Sequence, residues 1–557
     1  MRHEIDRRTF LAVGGLTAGA AVLGLTAAGP ASAEPIVGGL PAPELDGLRY
    51  WSPPSRPTNE VVSTDVFVYG GTSAGVTAAV QAHREGKTVA LASFNSYLGG
   101  LSSSGLGHSD MGTVDSVGGL AREFYQRIGS AYGLDGVDGM VWQFEPHVAA
   151  DVFDALAAES SVRLYRDQHL ASVTMRDGAL AEVVMDDGRR YRAKMFIDAS
   201  YEGDLVAKAG VTFTVGRESN SVYGETYNGI QFGNGDNHFL VPVDPYVRPG
   251  RPSSGLLPGI SPAPPGTPGS GDGLVQAYNF RLCLSAAADR EPYPKPRDYD
   301  PSRYALLLRY IEAGVFDVFG NTVDVSHGKR DMNNNGAVAT DDLGVNAAWP
   351  EGGYLVRERI FQEHVRYQAG MLYFLAADPA VPRAVRDYTR QYGMTHDEFG
   401  ATSAWSHELY VREGRRMVAD YVMTEHNSLG QTAAPDSIAL ASYVMDSHNT
   451  RRIVVDGRAT NEGNVQVHIP GPFPISYRAT VPRAGECRNL LVAGALSASH
   501  VAFGSLRLEP VFMMIGQATG SAAASAIDAG VAVQDIDYDD LRRRLLAGNA
   551  LLQWPVN

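Results

Sequence analysis

The chain has 557 residues, 44 % of them hydrophobic and 20 % charged, which is an ordinary globular composition at a length that suits two domains or one large domain with an insertion. A net charge of −15 argues against nucleic acid or an anionic membrane as the main partner, since both reward basic surfaces. Only Cys283 and Cys487 exist, too few for a four-cysteine iron–sulfur cluster, while a single disulfide between them stays open.

Residues 1–33 read as an address. Asp6-Arg7-Arg8-Thr9-Phe10-Leu11 has the twin-arginine export pattern, Ala12 to Ala28 is a short apolar run, and Ala31-Ser32-Ala33 fits an A-x-A cleavage site. The expected product is exported already folded, is secreted, and keeps no membrane attachment. Residues 34–64, with Pro41, Pro43, Pro53, Pro54 and Pro57, read as an irregular lead-in.

The stretch from Asp65 to Gly107 organises the rest. Val66-Phe67-Val68-Tyr69 predicts a buried parallel strand. A turn of small residues follows, Gly70-Gly71-Thr72-Ser73-Ala74-Gly75, then a helix ending at Gly86 and a strand over Thr88–Ala92. Strand, glycine turn, helix and strand make a dinucleotide-binding βαβ unit. Gly70 permits the tight turn, Gly75 lets helix and strand pack closely, and the helix start offers unpaired N–H groups to a pyrophosphate. Thr72 stands where the middle glycine of G-x-G-x-x-G is expected.

Downstream, Phe144–Ser160 has helical spacing, and Val162–Tyr165, Ala171–Met175, Leu180–Met185 and Tyr191–Met195 read as strands of a β-meander with Asp177-Gly178 and Asp187-Gly188 as turns. Phe196–Ser200 reads as a strand returning to the parallel sheet. Residues 206–440 read as an insertion. In it Pro249–Gly273 is a Pro/Gly/Ser-rich loop, Tyr304–Gly314 and Tyr354–Leu375 have helical spacing, and Tyr410–Met417 leads into another helix. Asn489–Gly494 predicts a buried strand and Leu508–Gly530 a helix rich in Gly, Ala and Ser. No internal repeat is evident.

Several blocks carry a family resemblance: Leu98-Gly99-Gly100-Leu101-Ser102-Ser103-Ser104-Gly105-Leu106-Gly107, Trp142–His147, Phe196–Leu205, Met445-Asp446-Ser447-His448-Asn449 and Ser497-Ala498-Ser499-His500. Together they resemble the FAD-dependent oxidoreductases of the "xanthan lyase" type. The resemblance implies an α/β fold: a Rossmann-like FAD-binding domain (parallel sheet plus β-meander) over 65–205 and 441–530, an inserted mixed α/β substrate or cap domain over 206–440, and a C-terminal tail over 531–557. It implies FAD as cofactor, held by Gly70, Gly71, Thr72, Ser73, Ala74, Gly75, Ser93, Gly99, Gly100, Leu101, Ser104, Asp198, Ala199, Ser200 and Gly494. Two departures stand out: Ser93 replaces the acidic residue expected for the ribose, and Gly494-Ala495 replaces a Gly-Asp pair.

Flavin chemistry needs a base for the substrate proton and donors for the substrate. His448 and His500 are the expected catalytic histidines, since imidazole both takes and gives a proton near neutrality. Arg507 is expected to hold a substrate carboxylate or the flavin, with an Arg507–Glu509 ion pair as the rival role. His108 is a candidate for a covalent flavin link, and Arg217, Glu218, Tyr223 and Glu225 for the substrate side. Asp331–Asp342 spaces oxygens as a calcium loop does, or else lines the substrate site; no resident metal is expected. The expected activity is removal of hydride from an alcohol or amine carbon of a small molecule or carbohydrate. Tyr278-Asn279-Phe280 and Asn333-Asn334-Asn335 suit sugar stacking and hydroxyl recognition. A polysaccharide lyase and a non-catalytic carbohydrate-binding protein are the alternatives.

Overall fold

A computed structural model of the chain describes residues 39–134, 139–233 and 236–555. The expected export leader lies outside the described residues. The chain enters the fold through an irregular segment and then forms β1 (Val61–Tyr69), α1 (Ser73–Arg84) and β2 (Val89–Ala92). After α2 (Gly119–Ala131) and α3 (Pro146–Glu159) come β3 (Arg163–Tyr165), β4 (Leu170–Arg176), β5 (Ala179–Met185) and β6 (Arg190–Asp198).

Five strands run parallel in the order β3, β2, β1, β6 and Leu490–Val492. Val66, Phe67, Val68 and Tyr69 at their centre are at most 1 % exposed, as a strand covered on both faces requires. β6 is one strand where the sequence suggests a meander strand and a separate returning strand. Its first half pairs antiparallel with β5, and its second half lies between β1 and Leu490–Val492. Burial changes with the neighbours, from alternating over Arg190–Lys194 to continuous over Met195–Asp198. β3, also expected in the meander, is instead an outer strand of the parallel sheet, because no turn dipeptide joins it to β4. Only β4, β5 and the start of β6 form the meander.

The helix Glu509–Ala529 packs lengthwise on α1. A Cβ on Gly516 would stand 2.2 Å from the Ala74 carbonyl oxygen, and one on Gly520 2.5 Å from that of Ala78, which explains the small residues of this helix. In the insertion, Leu282–Ser285, Thr322–Asp324, Lys329–Met332 and Gly393–Met394 form an antiparallel sheet beside the long helix Tyr354–Ala377. Insertion and flavin-type segments share one hydrophobic core that runs from Val66 and Ile515 to Phe280 and Phe361.

Two further expectations change. The segment from Tyr410 is irregular, with Arg416–Met417 as a short strand against Phe213–Thr214, because Arg412, Glu413 and Arg416 are buried and bonded on several sides. The C-terminal stretch expected as a tail contains the helix Tyr538–Ala547, capped by Asp537. Cys283 and Cys487 are both buried free thiols. Among the described residues no helix is long and apolar enough to cross a membrane.

Candidate functional site

All the parallel strands point their carboxyl ends at one edge, and β1 is the strand from which the connections leave in opposite directions. Such a switch point opens a crevice for a ligand. Gly70 follows β1, Ser93 follows β2, Ala199 and Ser200 follow β6, and Gly494 lies two residues past Val492, so these cofactor candidates meet there.

Close backbone approach fixes the turn. Gly70 has φ +108°, and a Cβ on it would stand 2.7 Å from the Ala199 carbonyl carbon; one on Gly75 would stand 1.8 Å from the Gly70 carbonyl oxygen. Thr72 fits because its hydroxyl works twice. Its Oγ1 accepts the Gly75 N–H at 3.2 Å, capping α1, and donates to the Ala199 carbonyl at 2.7 Å. Gly71 faces Ser93, whose Oγ would be 2.2 Å from an added Cβ. Gly99 donates to the Gly71 carbonyl at 2.8 Å, and the Leu101 N–H donates to the Tyr201 hydroxyl at 3.1 Å. Ser104 donates toward Glu408 at 3.4 Å. Asp198 shapes the wall rather than lining the crevice freely: Ser200 N–H and Oγ and the Val206 N–H engage both its oxygens. Burial pushes its carboxyl up to about 6 despite those bonds.

A cavity of about 680 Å³ opens beyond the ends of β2 and β3, lined by Trp51, Phe94, Tyr97, Arg166, Gln168 and His169 among others. A larger one, about 1130 Å³, is lined by Arg84, Arg122, Gln517 and Arg544. It lies at the far end of α1, roughly 15 Å of helix from the glycine turn, whereas the smaller cavity begins at Phe94, the residue after Ser93.

A second cluster gathers around His448. Its Nδ1 lies 2.7 Å from Asp341 Oδ2, and a carboxylate only accepts, so Nδ1 carries the proton. Its Nε2 lies 3.7 Å from Asp446 Oδ2, beyond hydrogen-bond reach. Burial raises the Asp341 carboxyl, but Arg412 and His448 outweigh it and hold it below the usual range. Arg507 donates to Asp446 at 2.8 Å and to the Tyr410 hydroxyl at 2.6 Å; its rival Glu509 pair does not form. Asp110 borders the cluster with a side chain 32 % exposed. Burial raises its carboxyl, Arg281 and His108 oppose this, and Asp446 adds to it. Among the described residues, Asp446 Oδ1, Asn449 Oδ1, His108 Nδ1, and Nε of Arg412 and Arg507 are buried atoms with no hydrogen-bond partner in the chain. Unpaired buried polar atoms concentrated at one place suit a ligand that completes them.

His500 sits differently. It is 1 % exposed, with Nδ1 2.8 Å from Glu413 and Nε2 3.0 Å from Ser447 Oγ, so both nitrogens are engaged. Arg416 pairs with Glu413 and with Glu218, and Glu218 accepts the His500 N–H at 3.0 Å. Arg217 is buried between Asp272 and Glu462, and Glu225 accepts from Ser499 at 2.6 Å. Tyr223 is half-buried beside them. Arg217 and Glu218 thus stand in internal ion pairs, and Glu225 accepts from Ser499, Asn228 and the Glu425 backbone, which turns all three inward.

Other expectations are corrected by packing. Asp331 lies in a strand and is gripped by Arg281 through both oxygens, while Asp341 serves His448. Asn333 Oδ1 accepts the Asn334 N–H and Asn335 Nδ2 donates to the Asp317 carbonyl, so these oxygens do not converge as calcium ligands. Tyr278 and Phe280 are fully buried, which removes them from sugar stacking. Glu145, His147 and Glu398 bring ligand atoms together, but Lys329 Nζ stands 2.7 Å from Glu145 and 2.8 Å from Glu398 and supplies the positive charge. The sequence reading placed Asp341 only within the Asp331–Asp342 loop and missed Arg412, Glu413 and Glu408. The only available signal was charge inside an otherwise apolar, aromatic segment.

The fold and crevice define a dinucleotide-binding flavoprotein-type architecture. A family model, FAD dependent oxidoreductase, matches residues 65–545, and the chain belongs to that family. Its cofactor is FAD, and the tight glycine turn at the start of α1, where a Cβ would strike the Ala199 or Gly70 backbone, is the kind of turn a dinucleotide requires. No curated protein matches the sequence. Among solved structures it is similar to T. acidophilum thioredoxin reductase, at 20 % identity and TM-score 0.17 over 24 % of this chain and 34 % of that one. It is also similar to L-proline dehydrogenase from P. horikoshii, at 13 % identity and TM-score 0.22 over 29 % of this chain and 59 % of that one. A 3-ketosteroid-delta4-(5alpha)-dehydrogenase from Rhodococcus jostii RHA1 matches at 15 % identity and TM-score 0.19, over 27 % of this chain and 50 % of that one. The chain thus spans between a third and three fifths of the length of these three.

Proposed function

We propose that this is an exported FAD-dependent oxidoreductase that removes hydride from an alcohol or amine carbon of a small molecule, carbohydrates included, with His448 as the base. The observation that carries the reading is the Asp341–His448 pair. Nδ1–H points at a carboxylate, which leaves the Nε2 lone pair without a hydrogen bond, 3.7 Å from the Asp446 oxygen that Arg507 holds. His448 is 8 % exposed, against 1 % for His500, so it is the histidine a substrate can reach. Arg507 fixes Asp446 and Tyr410, and the half-buried Tyr410, Tyr443 and Asp110 offer hydroxyl and carboxyl groups to a polyhydroxylated substrate.

FAD, when bound, supplies the acceptor for the two electrons that leave with the C–H bond. Gly70 to Gly75, Ser93, Gly99 to Leu101, Ala199, Ser200 and Gly494 would hold it. As the carbon is oxidised its hydroxyl or amine proton moves to His448 Nε2, and Asp341 stabilises the imidazolium. His500 keeps the neighbouring backbone in place through Ser447 and Glu413.

An anaerobic screen of sugars, alcohols and amines against the purified protein tests this. The expected result is loss of the oxidised-flavin absorbance with at least one class and slow loss in His448→Gln. A protein that binds no flavin, or one whose flavin no such compound reduces, would sink the reading. The export part predicts that the secreted protein begins at Glu34; a chain recovered only with its leader intact contradicts it.

A further inference from the structure

One buried carboxyl group has no part in the chemistry around His448. Glu509 is the first residue of the helix Glu509–Ala529, and it reaches back onto the glycine turn. Its Oε2 accepts from Ser73 Oγ at 2.6 Å and from Ser102 Oγ at 3.2 Å, and its Oε1 accepts from the Tyr201 hydroxyl at 2.7 Å. Ser73 is the first residue of α1, Ser102 lies in the Gly100–Ser103 turn, and Tyr201 follows β6. One side chain therefore ties together three of the segments that build the cofactor crevice.

Its surroundings carry no compensating charge. Glu509 is 5 % exposed, and among the described residues no Lys, Arg or His lies within ion-pair distance of it. Arg507, two residues back, is turned onto Asp446 and Tyr410. The ionisable groups that face Glu509 are Tyr201 after β6, Glu408 from the insertion and Tyr125 from α2, all acids or phenols. Ser73 of α1 and Ser102 contribute only hydroxyls. In this family the start of α1 receives the dinucleotide pyrophosphate, which brings negative charge of its own. A carboxylate there would compete with it for the same hydroxyl donors and repel it.

We propose that Glu509 is a cofactor-binding residue that works as a neutral acid: protonated, it donates a hydrogen bond at the pyrophosphate end of FAD, so that FAD uptake brings one proton with it. The proton comes from solvent and stays on the carboxyl, and no bond is made or broken in the cofactor. Burial pushes the Glu509 carboxyl up to about 7, with the three hydroxyls only partly opposing it, so the neutral form is accessible near neutrality.

The test is the dissociation constant of FAD measured on the full-length protein across about pH 6 to 8.5 by flavin fluorescence. One linked proton makes the constant rise toward tenfold per pH unit above about 7. Glu509→Gln, which keeps a donor and cannot ionise, should bind as wild type does at pH 6 and show no such rise. An infrared difference spectrum of wild type on FAD addition at about pH 8, where the carboxyl is ionised before FAD binds, should gain a protonated carboxyl band, a readout that needs no variant. A flat profile in wild type, a Glu509→Gln profile as steep as wild type, or no carboxyl band would each overturn the proposal while leaving the FAD assignment standing. A protein that takes up no FAD at any pH would overturn both.

Discussion

Replacing His448 by Gln removes the free Nε2 lone pair while leaving an amide that still donates to Asp341. The stability change should be small, about 1 kcal/mol for one exchanged hydrogen bond. The chemical step should lose far more. A positioned base contributes roughly 10²–10⁴ in rate, which is about 3–5 kcal/mol of barrier. Asp341→Asn separates the same role from a structural one. Asp341 pairs with His448 at 2.7 Å and with Arg412 at 3.0 Å, and both it and Arg412 are buried. Its loss strands a buried guanidinium, at about 3–5 kcal/mol of stability, besides freeing the imidazole to take the wrong tautomer. Anaerobic stopped-flow reduction with a substrate that bleaches the flavin gives the rate, and urea denaturation gives the stability. His448→Gln should be slow and nearly as stable as wild type, and Asp341→Asn slow and markedly less stable. A His448→Gln protein that reduces its flavin within tenfold of wild type would refute the base assignment.

Gly75→Ala places a methyl 1.8 Å from the Gly70 carbonyl oxygen, a backbone atom that cannot swing away. The variant should lose FAD on gel filtration, and retention at one flavin per chain would contradict the cradle. Glu509, pushed up to about 7 in the folded protein, contributes stability in its neutral form that is present at low pH and lost as pH rises through 7. Measured by urea without added FAD, the stability of wild type relative to Glu509→Gln should fall by about 1.4 kcal/mol from pH 6 to pH 8; a constant difference would count against it. Cys283 and Cys487 are free, so denatured protein should react with two equivalents of a thiol reagent without prior reduction. No reaction would mean a disulfide.

The nucleotide-binding unit was legible because each of its residues answers to a local constraint. Gly70 and Gly75 are forced by contacts within a few residues or across one strand, and the apolar run Val66–Tyr69 follows from burial on both faces. Thr72 was legible only as an exception, since its reason is the Ala199 carbonyl, more than a hundred residues away. The split of β6 failed for a related cause: periodicity changes mid-strand when the neighbours change, and a single sequence does not show the neighbours. The calcium reading failed because spacing counts oxygens but not their partners, and Arg281 already holds Asp331.

The same long-range pairing explains why two neighbouring histidines separate into different roles. Both lie directly after a serine in blocks that carry the family resemblance, so sequence gives them equal standing. Arg412, Glu413 and Arg416 come from one irregular stretch, and their buried charges face opposite ways along it. Glu413 and Arg416 close over His500 and leave neither ring nitrogen free. Arg412 instead neutralises Asp341 from behind, which lets that carboxylate stay ionised in a buried place and hold only one side of His448. A helix over this stretch would put residues 412 and 416 on one face and could not serve both histidines. The irregular backbone is therefore what gives this molecule one locked and one open imidazole.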